Sequence, residues 1–229
     1  MTLPASNDLT YKVGLVSEEV TIRDNTFVLY PEKAVLWKTK GILLISDLHL
    51  GKVNHFRRSG IAVPHSPNDQ NIERLIALLQ EVKPERVLFM GDLFHSHYNQ
   101  EWEVFGQVLK YFPAVSFELV MGNHDIMSDY QYLKHQLIIH REPLKVGSFI
   151  MSHEPIDEVP EACYNFAGHI HPGVHLRGKG RQGITLPCFY FSKDQSLLPA
   201  FGAFTGLYKI KPKVDDQIFV IVDNKVLKV

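Results

Sequence analysis

Five apolar runs of the sequence each end in Asp, Asn or His, and this repeated pattern constrains the fold more than any other feature. The first run, Ile42–His49, reads ILLISDLH and places two polar residues directly after an apolar stretch. Continuous apolar runs of this length are typical of strands covered on both faces. Open α/β sheets place their sites at the carboxyl ends of strands, so we expect the five ends to converge at the carboxyl edge of one sheet. The other runs are RVLFMGD (86–92), FELVMGNHD (117–125), SFIMSHE (148–154) and CYNFAGHIHP (163–172).

The stretches around these runs predict the remaining elements. Short apolar or alternating stretches from Tyr11 to Trp37 predict antiparallel strands, and apolar residues at helical spacing before Pro84 and in 99–112 predict two helices. The Gly- and Arg-rich stretch 175–183 predicts a loop, and ITLPCFYF, LPAFGAFTG and QIFVIVDNKVLKV predict further strands. The expected fold is therefore α/β of the α+β type, a two-sheet β-sandwich flanked by helices, in a single domain spanning residues 1–229.

Seven polar residues at the ends of the apolar runs are candidate metal ligands. In an extended segment residues i and i+2 point to the same side, so Asp47 can share an ion with His49, and His169 can share one with His171. One ion cannot use seven protein ligands and leave room for a substrate, but two ions can. A carboxylate has two oxygens, so Asp92 is the expected bridge between two divalent ions about 3.5–4 Å apart. The seven candidates are Asp47, His49, Asp92, Asn123, His153, His169 and His171.

The motifs that contain these residues resemble those of a known enzyme family. The motifs are DLH (47–49), GD (91–92), GNHD (122–125), His153 and GHIH (168–171). In this order they resemble the five motifs of the calcineurin-like metallophosphoesterases. The phrases DLHLGK, GDLFHS and GHIHP, with the tail segments LPCFYF and LPAFGAFTG, resemble more narrowly the bacterial ligase-associated DNA damage response endonucleases.

The resemblance implies a calcineurin-like metallophosphoesterase fold and a specific sharing of the ligands between two divalent metal ions. The mixed nitrogen and oxygen ligands suit Mn²⁺, Fe or Zn²⁺ better than Mg²⁺, and the resemblance favours Mn²⁺. One ion would be held by Asp47, His49, Asp92 and His171, and the other by Asp92, Asn123, His153 and His169.

The mechanism expected at such a site is hydrolysis of a phosphodiester. A metal ion lowers the pKa of its bound water towards neutrality, so hydroxide can attack phosphorus at pH 7. His124, next to Asn123, is the expected proton donor to the leaving oxygen, and Asp125 is expected to orient the His124 ring. The resemblance implies a DNA endonuclease that acts in DNA repair. Two alternatives stay open: a phosphoesterase for a small nucleotide or cyclic nucleotide, and a non-catalytic scaffold.

Histidines and cations beside the ligand motifs are candidate substrate contacts. A cation in the long stretch after His49, which has no clear period, can meet a phosphate that flanks the scissile one. Histidines after Asp92 can line the substrate cleft. Each of these histidines and cations can instead be a solvated or packed loop residue. The cations in the stretch 175–183 have the same two interpretations, as phosphate contacts or as solvated residues. The candidates are Lys52, His55, Arg57, His95 and His97.

Charge and cysteine content limit the partners and the compartment. A net charge of -1 and a pI near 6.9 exclude a strongly basic surface, although a local basic rim is compatible with them. Two cysteines without CxxC spacing predict reduced thiols. The sequence has no signal-peptide pattern and no apolar run near the roughly 20 residues that span a bilayer. We expect a cytoplasmic protein with DNA as substrate, and the resemblance implies DNA ligase and helicase or exonuclease partners.

Overall fold

The computed structural model describes residues 16–50, 66–95, 98–178, 182–203 and 205–229, and within these residues the strands form two sheets. The first sheet contains β1 (Glu18–Ile22), β2 (Asn25–Tyr30), β3 (Ala34–Trp37), β4 (Ile42–Ile45), β5 (Arg86–Met90), β6 (Ser116–Val120) and β7 (Ile138–His140). The second contains β8 (Leu144–Val146), β9 (Phe149–Ser152), β10 (Tyr164–Ala167), β11 (Pro172–Arg177), β12 (Gly183–Phe191), β13 (Gln195–Leu197), β14 (Tyr208–Lys209), β15 (Gln217–Val222) and β16 (Lys225–Lys228). The helices are α1 (Ser66–Val82), α2 (Gln100–Tyr111) and α3 (Asp129–Lys134).

The first sheet follows the order of the chain. Strands β1 to β4 pair antiparallel, and β4 to β7 pair parallel. Parallel neighbours need a crossover connection, and α1, α2 and α3 lie in the three connections between β4 and β7. The second sheet has the order β14-β11-β12-β13-β10-β9-β8, with β15 paired to β12 and β16. As a result, β4, β5 and β6 in one sheet and β9 and β10 in the other each have a parallel neighbour.

The central strands are buried on both faces because they separate two hydrophobic cores. In β4, Leu43 and Ile45 pack in the core that contains the helices, whereas Ile42 and Leu44 pack in the core between the sheets. Successive side chains of a strand point to opposite faces, so a fully apolar strand serves both cores. Full burial of each such side chain stabilises the fold by about 1.5–3 kcal/mol. This arrangement fixes the strand ends from which the polar motifs project.

Most of the expected elements are confirmed, with two exceptions near the carboxyl terminus. The two-sheet architecture, the helices flanking it and the final hairpin, which turns at Asp223 and Asn224, are as predicted. The described residues of the stretch LPAFGAFTG (198–203 and 205–206) do not form the predicted strand, because the N–H groups of Phe201 and Gly202 donate to the carbonyls of Ser46 and Asp47 instead. The loop predicted from residue 175 is also wrong at its start, since β11 continues to Arg177.

Three further expectations concern the cysteines, membrane-spanning segments and the number of domains. Cys163 and Cys188 are both buried and form no disulfide, as predicted. Among the described residues, no helix is long and apolar enough to cross a membrane. The single domain of residues 1–229 stays a prediction.

One ion-pair cluster lies inside the first sheet. Glu118 is 5% exposed, and its carboxylate accepts hydrogen bonds from Arg86 Nε at 2.6 Å and Arg86 Nη2 at 3.0 Å. The Nε2 atom of His140 lies 2.8 Å from Glu118 Oε2. Burial raises the pKa of Glu118, but the hydrogen bonds and charges of Arg86 and His140 outweigh burial and hold the pKa below its ordinary value. Because the folded-state pKa is depressed, this cluster stabilises the fold above the unfolded-state pKa, and the stabilisation is lost as pH falls through the folded-state value.

Glu118→Gln should therefore lower the free energy of unfolding at pH 7 by about 1–2 kcal/mol, since Arg86 is partly exposed and the pair is partly screened. The difference from the parent should shrink as pH falls through the glutamate range. Urea unfolding from pH 7 down to pH 3 measures both effects. The matched control is Glu142→Gln, because Glu142 is exposed. A loss that is equal for the two variants, or that grows as pH falls, would contradict the assignment.

Candidate metal centre

The seven candidate ligands lie just beyond the carboxyl ends of five strands, where the two sheets approach each other. Asp47 and His49 follow β4, Asp92 follows β5 and Asn123 follows β6 in the first sheet. The second sheet contributes His153 after β9 and His169 and His171 after β10. The expectation that all five strand ends lie at the edge of one sheet is wrong, because β9 and β10 pair with β8 and β13 and not with the strands of the first sheet. Each group of neighbouring ligands described below contains residues from both sheets. His169 and His171 both follow β10 but fall in different groups, against the expectation from their spacing.

Five of these residues have a left-handed backbone conformation. Asp47 and His49 have φ values of 53° and 50°, so the expectation that they lie on extended backbone is wrong. Left-handed φ is uncommon outside glycine, and Asn, Asp and His adopt it more readily than other residues. Holding a residue there costs about 1–3 kcal/mol and requires support from the surrounding structure. The other three are Asp92 (φ 49°), His169 (φ 63°) and His171 (φ 51°).

The first group consists of Asp47, His49 and His171, with one ligand-type atom of each within 4.8 Å of the others. The Nε2 atoms of His49 and His171 lie 3.4 Å apart, and Asp47 Oδ1 lies 3.2 Å from His171 Nε2. Burial raises the pKa of Asp47, but the interaction with His171, together with His153 and His49, lowers it below the ordinary value. Asp47 is therefore an anion at neutral pH, as a metal ligand must be.

The second group consists of Asp92, His153 and His169, again within 4.8 Å of one another. His153 Nε2 lies 3.1 Å from His169 Nδ1, 3.4 Å from Asp92 Oδ1 and 3.0 Å from the Oδ1 atom of Asn123. On its other side, His153 Nδ1 lies 3.1 Å from the carbonyl of Met90 and can donate its proton there. That hydrogen bond selects the tautomer whose Nε2 lone pair faces the group, which is the form that binds metal.

Asp92 belongs to the second group and also faces the first. Its Oδ1 atom faces His153 at 3.4 Å and its Oδ2 atom lies 3.9 Å from Nε2 of His49. Each oxygen of this carboxylate therefore faces a different group. The buried position is stabilised by the backbone N–H of His124, which donates to Oδ1 at 3.0 Å.

The nitrogen and oxygen atoms at the centre of each group are better satisfied by binding a divalent cation than by hydrogen bonding to one another. Ring nitrogens face each other in both groups, at 3.4 Å in the first and 3.1 Å in the second. A neutral imidazole has one N–H and one lone pair, so such a contact satisfies only part of the set, whereas a cation accepts lone pairs from all ligands. Carboxylate, amide and imidazole together suit Mn²⁺, Fe or Zn²⁺. Metal binding by these seven residues stays a prediction.

Small residues allow the ligand turns to approach closely. A Cβ atom on Gly122 would lie 2.5 Å from both N and Oδ1 of Asp92, and one on Gly168 would lie 2.6 Å from Oδ2 of Asp47. Both distances are shorter than real Cβ atoms tolerate. The glycines in the GNHD and GHIH motifs are therefore required by the space that the two carboxylates occupy.

The segment 198–203 supports the first ligand turn, and sequence reasoning missed this role. The N–H of Phe201 donates to Ser46 O at 2.9 Å, and the N–H of Gly202 donates to Asp47 O at 3.0 Å. The segment is held from helix α1, where Arg74 donates to the carbonyl of Phe201 and lies 4.2 Å from its ring centre. The phrase LPAFGAFTG was the available signal, but its apolar content indicated a strand.

His124 lies beside both groups without belonging to either. Its side chain is 43% exposed, and Nε2 lies 4.0 Å from Asp92 Oδ2. The His95 ring packs against it with 4.0 Å between ring centres, and His95 also lies 5.2 Å from the His49 ring. His95 is thus next to the candidate metal centre, as expected for a residue that lines a substrate cleft.

Asp125 does not orient the His124 ring as expected. In the described part of the chain its carboxylate accepts hydrogen bonds from backbone N–H groups of Leu93 at 3.0 Å, Phe94 at 3.2 Å and Gly122 at 2.9 Å. It therefore joins the turn after β5 to the turn after β6. Burial raises the pKa of Asp125 to about 7, against the lowering effect of the Gly122 and Phe94 amides. The other expected substrate contacts, Lys52, His55, Arg57 and His97, lie outside the described residues.

Comparison with known proteins agrees with this arrangement. Residues 41–187, which contain all seven candidate ligands, match the family model described as calcineurin-like phosphoesterase. The crystal structure of Pseudomonas putida nuclease MPE is 27% identical and superposes with a TM-score of 0.79, over 93% of this chain and 100% of that chain. Together they confirm the calcineurin-like fold expected from the motifs.

Other comparisons are more distant. Yfce, a phosphoesterase from E. coli, is 14% identical with a TM-score of 0.45, over 82% of this chain and 97% of its own. The protein of unknown function AQ665 from Aquifex aeolicus is 20% identical with a TM-score of 0.39, over 61% and 82%. No curated protein sequence matches this chain.

Gly202→Ala should weaken metal binding, because the new Cβ would lie 2.8 Å from Leu48 O and 3.1 Å from Asp47 O. Both are backbone atoms of the ligand turn and cannot yield without moving Asp47. We expect Mn²⁺ affinity to fall about 10- to 100-fold, as when a residue that supports a ligand is changed. Isothermal titration calorimetry measures the Mn²⁺ affinity of the variant and of the parent. Gly206→Ala is the matched control, since no atom lies within 4 Å of its new Cβ. Equal affinities for the two variants would show that segment 198–203 does not support the site.

Proposed function

Because this chain belongs to the calcineurin-like phosphoesterase family, we propose that it is a two-metal phosphodiesterase that cuts DNA internally. Family membership makes the chain a phosphoester hydrolase, and the choice of diester and of DNA is the proposal. Asp47, His49, Asp92 and His171 would hold one ion, and Asp92, Asn123, His153 and His169 the other. The supporting observation is the position of Asp92, whose two oxygens face different groups of ligand-type atoms.

The chemistry divides between the ions and the side chains. When bound, two divalent ions supply Lewis acidity, which activates a nucleophilic water at neutral pH and neutralises a phosphoryl group. His124 then protonates the leaving oxygen, because it lies next to the shared carboxylate but is exposed enough to meet a substrate. The packed ring of His95 limits the orientations of His124 and borders the same cleft. Asp125 acts indirectly by fixing the turns that carry Asp92 and Asn123.

The substrate class is supported by likeness to a nuclease. Pseudomonas putida nuclease MPE matches nearly the whole chain, and the phrases DLHLGK, GDLFHS and LPAFGAFTG resemble ligase-associated DNA damage response endonucleases. We therefore assign the chain to DNA repair in the cytoplasm, with Mn²⁺ as the metal and with a DNA ligase and a helicase or exonuclease as partners. Lys52, His55, Arg57, His95 and His97 are the proposed substrate contacts around the scissile phosphate.

A phosphoesterase for a small nucleotide or cyclic nucleotide is the second candidate. The net charge of -1 and the pI near 6.9 favour it, because an extended DNA footprint usually leaves a basic signature. A non-catalytic scaffold is disfavoured, since every ligand-type residue and His124 are present.

Hydrolysis of circular single-stranded DNA, measured beside bis-p-nitrophenyl phosphate, separates the two candidates. With Mn²⁺ the protein should cut both, and a circle has no end, so its loss shows internal cleavage. Chelation and Asp92→Ala should each abolish both activities. Asp129→Ala, which changes an exposed aspartate of α3, should leave both intact. Cutting of the small diester alone would favour the small-nucleotide enzyme.

His124→Ala should keep the metal content and slow hydrolysis of DNA about 10²- to 10⁴-fold, the usual contribution of a general acid. A p-nitrophenolate leaving group needs no proton, so bis-p-nitrophenyl phosphate should be affected much less. We would measure hydrolysis rates on a series of diesters with leaving groups of increasing pKa. Metal analysis of the purified variant checks its metal content. A uniform loss across the series would exclude the proton-donor role, and loss of metal would make His124 a ligand.

A further inference from the structure

A surface on the second sheet carries several cations and begins at the candidate metal centre. The strands are β11 and β14, which pair parallel at Pro172 with Tyr208 and at Gly173 with Lys209. Exposed cationic residues follow along both strands and just beyond them. We name the surface formed by His175, Arg177, Lys209 and Lys211 the basic face.

The side chains of the basic face point away from the core because their neighbours point into it. Val174, Leu176 and Ile210 all pack in the hydrophobic cluster that also contains Cys188 and Val220. Side chains alternate along extended backbone. His175 and Arg177 on β11, Lys209 at the end of β14 and Lys211 just after it are therefore on the opposite face, and all four are exposed. Tyr208 alternates with Lys209 and lies on the side of Ile210, so it does not belong to the basic face.

The basic face is continuous with the ligand segment. The N–H of Tyr208 donates to the carbonyl of His171 at 3.0 Å, so β14 begins directly beside a candidate ligand. The paired positions Gly173 and Lys209 lie on the same side as His175, so this side of the two strands runs from the ligand segment to the basic face. A chain that leaves the metal centre past His171 on this side therefore meets the cations of the basic face.

Three charged side chains of the basic face have no carboxylate partner in the described part of the chain. Among the described residues Lys209, Lys211 and Arg177 form no ion pair, whereas Lys38, Lys134 and Arg141 are paired with carboxylates. The nearest acidic residues along the chain, Asp215 and Asp216, end the basic stretch. Lysines on an edge strand such as β14 also discourage sheet-to-sheet pairing, which is the plainer explanation to be tested.

We propose that the basic face binds the sugar-phosphate backbone of a single-stranded polynucleotide on one side of the scissile bond. The proposal rests on the function proposed above and extends it to the position of the substrate. Its basis is charge complementarity together with continuity, because a positively charged surface that follows the backbone is what sequence-independent single-strand binding uses. The overall charge of -1 is compatible with it, because the cations are concentrated on one surface.

The test is the double variant Lys209→Ala/Lys211→Ala in the full chain. Binding is measured by fluorescence anisotropy of a labelled oligothymidylate of about 20 nucleotides with chelator present, so that no cleavage occurs. We expect the Kd to rise about tenfold at low salt, and the slope of log K against log salt to fall by about 1.4, or roughly 0.7 for each lost phosphate contact.

The matched control changes the same groups elsewhere. Lys145→Ala/Lys225→Ala removes two exposed lysines from other strands of the same sheet. This double variant should bind the oligonucleotide as the parent does. Thermal unfolding of all variants checks that the fold is kept.

The outcomes separate this proposal from the proposed function. Equal affinities of the two double variants, or no binding of the oligonucleotide by the parent protein, would overturn the basic face. If the parent cuts DNA with Mn²⁺ while both double variants bind and cut alike, the nuclease stands and the basic face fails. If binding depends on Lys209 and Lys211 but the parent cuts no DNA, the basic face stands and the nuclease assignment fails.

Discussion

The carboxylate of Asp92 is buried between two groups of imidazoles, and the surrounding turns are built to keep it there. An unpaired buried carboxylate is strongly unfavourable, so its oxygens need donors or cations on every side. The backbone N–H of His124 supplies one donor, and both groups of ligand-type residues face the remaining lone pairs. Gly122 leaves the space that the carboxylate fills. Asp125 then ties the turn after β5 to the turn after β6, which keeps Asp92 and Asn123 in register. The parallel pairing of β5 with β6 provides the frame for these contacts.

The sequence allowed the frame and the ligand types to be predicted, because both leave local signals. An apolar run such as Ile42–Ile45 indicates a doubly covered strand, and a carboxylate or imidazole directly after it indicates a site. The turn geometry left no such signal. Asp47 and His49 were expected on extended backbone, and they are left-handed because hydrogen bonds to Gly91 and Asp92 hold the turn. Those partners are more than 40 residues away along the chain.

The errors at Asp125 and in segment 198–203 have one physical origin. Both act through hydrogen bonds to backbone groups that are distant in sequence, and such bonds impose no periodicity on the residues that make them. The partner of Phe201 is Ser46, and the partners of Asp125 include Leu93. A sequence pattern shows which face a residue occupies, but not which remote carbonyl or amide it meets. Composition has the same limit for charge: a net charge near zero says nothing about how cations are distributed over the surface.

Both groups of ligand-type residues combine early and late parts of the chain. His171 completes the group that starts with Asp47, and His169 completes the group around Asp92. No contiguous fragment shorter than residues 47–171 therefore contains both groups, and the first sheet alone contains neither. During synthesis or refolding the site can form only after the second sheet has docked on the first. The contacts that complete the site join residues far apart in the sequence, and contacts of this kind form slowly during folding. Two divalent ions, one at each group, would consequently bind only the assembled protein, and they would stabilise that state at the expense of partly folded chains.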